Sequence, residues 1–208
     1  MPTKNPDLHG SAPDKSGMAL LLIDVINDLE FPEAEQMLDA AMKMARQIAR
    51  LKKRAHRARV PAIYVNDNFG KWKSDFRATI EHCAEKNVRG REIVKMLKPA
   101  EQDYFVLKPK HSGFFSTSLE MLLRYLGSET LILTGIAGNF CVLFTANDAY
   151  MRGLRVIAPS DCIVSNTPED NAHALRQIEI VLKGRVTPSD RLMFTGPRPT
   201  RTPPRVGV

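Results

Sequence analysis

The sequence predicts an α/β fold, a three-layer αβα arrangement around a doubly wound, mainly parallel sheet, in a single domain. Three observations carry this. Short apolar runs alternate with longer stretches of helical periodicity along the chain. The runs are continuously apolar rather than alternating, as in strands covered on both faces. Glycines and prolines punctuate the junctions between them. A chain of 208 residues is long enough for one sizeable core.

Residues 1–16 are polar and aperiodic and read as a flexible N-terminal arm; 17–194 form the domain; 195–208 alternate proline and arginine and read as a tail. Met18 to Ile26 is a buried strand interrupted only by Asp24. A helix opens at Pro32 and carries Met37, Ala41, Met44, Ile48, Leu51 and Ala55 on one stripe. Val60 to Val65 is the second strand, followed by a polar and aromatic loop, Asn66 to Phe76, in which Phe69 and Trp72 are candidate pocket walls. Residues 78–97 form one weakly patterned helical region, and Cys83 within it takes no role. Asp103 to Lys108 is the third strand, and the helix after it, capped by Ser116 or Thr117, faces inward with Leu119, Leu122, Leu123 and Leu126 before Gly127.

Leu131 to Gly153 is the stretch around which the chain is organised. It begins as a strand, breaks at Gly135 and Gly138, and becomes helical from Asn139, with Val142, Ala146, Ala149 and Tyr150 inward. Cys141 then falls in the first turn of a helix, where the dipole and free N–H groups favour a thiolate. The competing reading is a small buried hydrophobe. Leu154 to Ala158 is a fifth strand. A helix from Thr167–Pro168 carries Ala174, Ile178, Val181 and Leu182 to Gly184, and Val186 to Phe194 holds a final short strand.

Composition narrows the function. Three cysteines, odd in number and widely spaced, fit a reducing compartment. No apolar run approaches the ~18 residues of a membrane span, and no signal-peptide core is seen, so the expectation is a cytoplasmic protein without a membrane partner. The net charge of +7 concentrates in Lys52 to Arg59 and after Gly196. The first cluster closes a helix and the second lies in the tail. Neither is interleaved with aromatics, so no nucleic-acid partner is expected. G-x-G-x-x-G and P-loop motifs are absent.

In a doubly wound sheet, strand C-terminal ends form the site. Asp24, Lys108 and Cys141 each sit at such an end. Asp24 reads equally as a turn carboxylate, and Lys110 is a rival to Lys108. Together the three types make sense: a carboxylate to move the thiol proton, an ammonium to shift both neighbours, and a thiol nucleophile. The loop Gly135 to Gly138 offers N–H groups to an oxyanion.

These segments resemble the isochorismatase-like cysteine hydrolases, a family that includes nicotinamidases, N-carbamoylsarcosine amidase and isochorismatase. Leu21 to Asp28 is similar to its first-strand aspartate motif. Lys108-Pro109-Lys110-His111-Ser112-Gly113-Phe114 is similar to its Lys-x-x-Tyr-Ser-Ala-Phe segment. Thr134 to Val142 resembles the nucleophile motif, and Thr145 to Gly153 the helix after it. The resemblance implies an Asp24–Lys108–Cys141 triad, with Lys108 rather than Lys110 as the lysine. It implies a cis peptide between Ile136 and Ala137, and an oxyanion hole from the N–H groups of Ala137 and Cys141. It also implies a homo-oligomer, dimer or tetramer, acting on a small-molecule substrate. Phe114 joins Phe69 and Trp72 as a candidate pocket residue.

The sequence departs from the family's pattern in three places. The nicotinamidase metal position, an Asp-x-His pair, reads Asp67-Asn68-Phe69 here, so no metal and no cofactor are expected. Ile26 and Leu29 replace a common Gln and Phe. His111 and Gly113 replace Tyr and Ala, and these two are expected to matter less. Cys141 favours C–N cleavage of an amide or ureido compound through a thioester. Vinyl-ether hydrolysis with Asp24 as acid is the alternative, with Lys71, Lys73 and Arg77 to hold carboxylates, and a non-catalytic oligomeric module is the third reading.

Overall fold

The computed structural model describes residues 15–32, 34–70, 75–85 and 87–194. The expected tail at 195–208 and all but the last two residues of the expected arm lie outside them. Of those two, Ser16 is buried, donates its N–H to the Leu126 carbonyl and accepts through its own carbonyl from the Ser128 hydroxyl.

Seven strands form one parallel sheet among the described residues: β1 (Met18–Ile23), β2 (Ala62–Asp67), β3 (Tyr104–Lys108), β4 (Thr130–Ile136), β5 (Arg155–Pro159), β6 (Ile163–Val164) and β7 (Arg185–Thr187). Their order is β3-β2-β1-β4-β5-β7, with β6 beside the end of β4. β5 pairs with the first residues of β4 and β6 with Gly135 and Ile136, so two short strands share one long neighbour. β6 is too short for any periodicity to reveal, and the sequence reading had no strand there.

Every residue of β1 and β4 is buried. Period-2 alternation sends Leu20 and Leu22 to one face and Ala19, Leu21 and Ile23 to the other. On the first face lie α1 (Ala34–Arg57), α2 (Phe76–Glu85) and α3 (Arg91–Met96); on the second lie α4 (Leu119–Leu126), α5 (Leu143–Met151) and α6 (Pro168–Ile180). Each Leu or Ile so covered contributes about 1.5–3 kcal/mol of burial.

The stripe read along α1 is buried throughout, although the helix starts at Ala34 rather than at Pro32. Its basic end is only partly surface: Lys53, Arg57 and Arg59 are exposed, but the other three basic groups turn inward. Lys52 is buried against Asp103 at 2.5 Å and the Tyr64 hydroxyl at 2.7 Å, and His56 meets the other Asp103 oxygen at 2.8 Å. Arg54 donates to the carbonyls of Ser189 and Leu192. The single helical region expected at 78–97 is two helices. Gly90 parts them because its N–H bonds the Asp28 carbonyl, and a Cβ there would lie 1.9 Å from the Asn27 oxygen.

The short final strand expected within 186–194 is Arg185–Thr187, at the start of that stretch. Pro188 has no N–H for a ladder, and Asp161 takes both the N–H and the hydroxyl of Ser189 at 2.7 Å, drawing the chain away. Two inward positions are also corrected: Tyr150 and Val181 are exposed, at 46% and 61%. No helix among the described residues is long and apolar enough to cross a membrane.

Gly135 fixes the approach of β4 to β1. It has φ +113°, and a Cβ would lie 2.0 Å from the Ile23 carbonyl oxygen. Gly135→Ala should therefore lower unfolding free energy by about 3 kcal/mol, from strain and overpacking together. Urea denaturation measures it, and an unchanged midpoint would refute this account of the contact.

Candidate active site

Order β2-β1-β4 places the topological switch point between β1 and β4. Asp24 follows β1 directly. Cys141 lies in the turn that follows β4. Lys108 ends β3, and its long side chain reaches inward past the end of β2. The three meet: Lys108 Nζ is 2.8 Å from Asp24 Oδ2 and 3.4 Å from Cys141 Sγ. Lys110, the rival lysine, is exposed.

Lys108 is 0% and Asp24 5% exposed, so both are charges in the interior. Asp24 sits in the left-handed region, φ 49°, a conformation that Asp tolerates better than most residues. Its N–H bonds the Val65 carbonyl, and its Oδ1 accepts the Asp67 N–H at 2.6 Å. The strained backbone turns the carboxylate across the end of β2 toward Lys108.

Cys141 is not in an ordinary first helical turn, as the spacing suggests. Residues Gly138–Val142 form a wider, π-type turn, and α5 begins only at Leu143. Ala137 heads the turn: its carbonyl accepts the N–H groups of Phe140 and Val142, and the Ile136–Ala137 peptide bond is cis. Thr145 donates its hydroxyl to the Cys141 carbonyl and accepts the Gly113 N–H, and Ser112 bonds Asp148. These bonds tie the loop after β3 to the turn that carries Cys141.

The electrostatics reverse one expectation. Burial first, and then the Asp24 charge, push the Cys141 thiol up to about 12; Lys108 pulls it the other way but less. Helix-start geometry was expected to lower it. Burial also raises the Asp24 carboxyl, with Lys108 only partly offsetting this. Burial pulls the Lys108 ammonium down, but Asp24, Cys141 and Asp67 together outweigh it and hold it above the ordinary lysine value. Burial and Asp24 thus favour the protonated form of the Cys141 thiol, while the surrounding acids favour the charged form of Lys108.

Two residues that sequence reasoning set aside stand in the site. Asp67 Oδ2 lies 3.4 Å from Lys108 Nζ, and its Oδ1 accepts the Phe69 N–H. It occupies the C-terminal end of β2, the criterion that singled out the triad, but had been weighed only as a metal position. His111, expected to matter little, has Nδ1 3.8 Å from Cys141 Sγ, with its ring near those of Phe140 and Phe144.

The proposed pocket walls fare differently. Phe69 is 42% exposed and lines a cavity of about 450 Å3 with Asp28, Asn68, His82 and Leu107. Asn68 and Leu107 are chain neighbours of Asp67 and Lys108. Phe114, by contrast, is a core residue, 5% exposed, with the Arg152 guanidinium over its ring. Trp72, Lys71 and Lys73 lie outside the described residues; Arg77 is exposed on α2. Among the described residues no group of three His, Cys, Asp or Glu side chains is arranged to hold a metal ion. A larger recess, about 1030 Å3, lies at the opposite sheet edge among Met18, Thr130 and Arg155, the first residues of three strands, and does not touch the triad.

Comparison with known proteins follows the same outline. A model of the isochorismatase domain matches residues 18–189. The uncharacterised isochorismatase family protein YaaI of Bacillus subtilis is 42% identical over 179 residues, 86% of this chain and 98% of its own length. The ureidoacrylate amidohydrolase RutB of Methylorubrum extorquens is 40% identical over 88 residues, 42% of this chain and 36% of that protein. The crystal structure of N-carbamoylsarcosine amidase from Thermoplasma acidophilum superposes with a TM-score of 0.66 at 28% identity, covering 84% of this chain and 98% of that one.

The thiol's dependence on Asp24 can be measured directly. Asp24→Asn removes a group that raises the Cys141 thiol and leaves Lys108, which lowers it. The alkaline midpoint of the pH profile for alkylation of Cys141 by iodoacetamide, about 12 in wild type, should then move down. Lys108→Met should move it up. An Asp24→Asn midpoint at or above that of wild type would contradict this electrostatic account.

Proposed function

Since the chain belongs to the isochorismatase family of hydrolases, we propose that it cleaves the C–N bond of a small amide or ureido compound through a thioester on Cys141. One observation carries the reading: a single ammonium, Lys108 Nζ, touches both the Asp24 carboxylate and the Cys141 sulfur. The amidohydrolase names of RutB and N-carbamoylsarcosine amidase support the same class.

Asp24 takes the thiol proton as the sulfur attacks the substrate carbonyl carbon. The carbonyl π pair moves to oxygen, and the N–H groups of Ala137 and Cys141 stabilise that oxyanion. Collapse re-forms the carbonyl and breaks the C–N bond, while Asp24 gives its proton to the departing nitrogen. A raised carboxyl pKa suits that donation. Water then attacks the thioester, Asp24 receives its proton, and the sulfur leaves to recover that proton as a thiol. Lys108 stays charged throughout and holds the carboxylate and sulfur together.

The reading includes a cytoplasmic location, supported by three free thiols, and a homo-oligomer, dimer or tetramer. The exposed Phe115, Phe140, Phe144 and Met151 on and beside α4 and α5 support the latter. Sedimentation velocity should give more than one chain per particle, and a strictly monomeric species would remove that part of the reading.

Vinyl-ether hydrolysis with Asp24 as proton donor has one observation in its favour, the same raised carboxyl. Substitution separates the two chemistries. Against a panel of small amides and ureido compounds, Cys141→Ala should lower kcat by about a thousandfold or more. In the vinyl-ether case Asp24→Ala is the fatal change and Cys141→Ala is mild. Amide turnover surviving in Cys141→Ala would end the thioester mechanism.

A further inference from the structure

The triad accounts for one of the two carboxylates on Lys108. The other belongs to Asp67, whose Oδ2 is 3.4 Å from Nζ. Among the described residues Lys108 is the ion-pair partner of both Asp24 and Asp67. Among the described residues the cluster thus sets two carboxyl groups against a single ammonium.

The two acids differ in access. Asp24 is nearly closed from solvent, with its side chain 7% exposed, whereas the Asp67 side chain is 33% exposed. Asp67 is also held. Its Oδ1 accepts the Phe69 N–H at 2.6 Å, and its own N–H bonds Asp24, so the carboxylate is fixed relative to the triad. Asp67 is therefore a positioned, partly exposed acceptor that shares the Lys108 ammonium with Cys141.

We infer that Asp67 is a specificity-determining residue: its carboxylate, fixed on Lys108 beside Cys141, favours reactants that present N–H donors or a positive charge at the sulfur and disfavours those that present a carboxylate or other anion. The inference deepens the amidase reading and rests on it for its biological meaning. It narrows the substrate class to neutral or cationic amides, ureas and their relatives. It also weighs against a dicarboxylic vinyl ether, whose negative charges would meet two acids there. The effect is electrostatic and partly exposed, so it is modest in size and sensitive to salt.

Its test does not require the natural substrate. The full-length protein is treated with two thiol-specific probes of matched size, 2-aminoethyl methanethiosulfonate, a cation, and 2-sulfonatoethyl methanethiosulfonate, an anion. The rate ratio at Cys141 is divided by the ratio for 2-mercaptoethanol, with Cys141→Ala correcting for the buried Cys83 and Cys162. Wild type should favour the cation by about tenfold at low ionic strength, about what one added charge nearby supplies, and less in high salt. Asp67→Asn, which keeps the oxygen that meets Phe69 N–H, should bring the normalised ratio to within about twofold of unity. A wild-type ratio at or below that of 2-mercaptoethanol overturns the inference with no variant needed. So does an Asp67→Asn protein in which both probes change by the same factor, since that outcome assigns Asp67 to holding Lys108 alone. These results are separate from the fate of the amidase reading, which falls only if Cys141→Ala still turns over amides.

Discussion

The site depends on an ion pair buried in the protein interior, Lys108 with Asp24 at 2.8 Å. Moving either charge out of water alone costs several kcal/mol, and removing one partner of such a pair typically destabilises by about 3–5 kcal/mol. The pair persists because neither group is left with a single contact. Asp24 also accepts the Asp67 N–H, and Lys108 also touches Asp67 and Cys141. It further requires register. Asp67 is paired with Lys108 across β2 and β3, and a slip by one residue would turn Lys108 to the opposite face of the sheet. The apolar patterning that sets the register thereby sets the chemistry.

A second constraint joins the two loops that bracket the sulfur. Thr145, on the first turn of α5, is bonded both to the Cys141 carbonyl and to Gly113 in the loop after β3. Its hydroxyl is buried, donates to one loop and accepts from the other, so it acts as a fixed spacer between them. Ser112 and Asp148 add a second tie, one residue before Gly113 and three after Thr145. His111, itself exposed, stays beside the sulfur because its neighbours are held in this way. A site built from three strand ends stays coherent only if its loops are bound to each other as well as to the sheet.

Much of the fold was legible because β1, β4 and α1 are long and strongly patterned: continuous apolar runs and a regular stripe admit few other readings. Asp24, Lys108 and Cys141 were legible for a different reason, as polar or reactive residues at the ends of apolar strands. The details that escaped are set by tertiary contacts. β6 is two residues long and exists only because β4 outlasts β5. The split between α2 and α3 is set by Gly90 meeting the chain near Asn27, more than sixty residues earlier in sequence. Phe114 looked like a pocket wall beside the lysine motif but is turned into the core. The direction of the Cys141 shift escapes the spacing because burial, its largest cause, outweighs a local dipole and depends on how deeply the packed sheet and loops enclose the sulfur. Asp67 also ends an apolar strand, but its contact with Lys108 comes from the pairing of β2 with β3, which the spacing of its own segment does not show.

The position of β1 has a consequence for how the chain comes together during synthesis. It is a central strand, yet one of its neighbours, β4, is far downstream: Thr134 donates to the Leu21 carbonyl across 113 residues. Until that segment emerges, β1, β2 and β3 can pair only among themselves, and one edge of a wholly apolar strand stays open. Such an edge is the template on which nascent chains associate wrongly. The nucleophile turn directly follows the strand that closes it. The chain therefore brings Cys141 beside Asp24 and Lys108 at nearly the same moment as it loses its most adhesive edge, so that this cluster is a late product of folding rather than an early one.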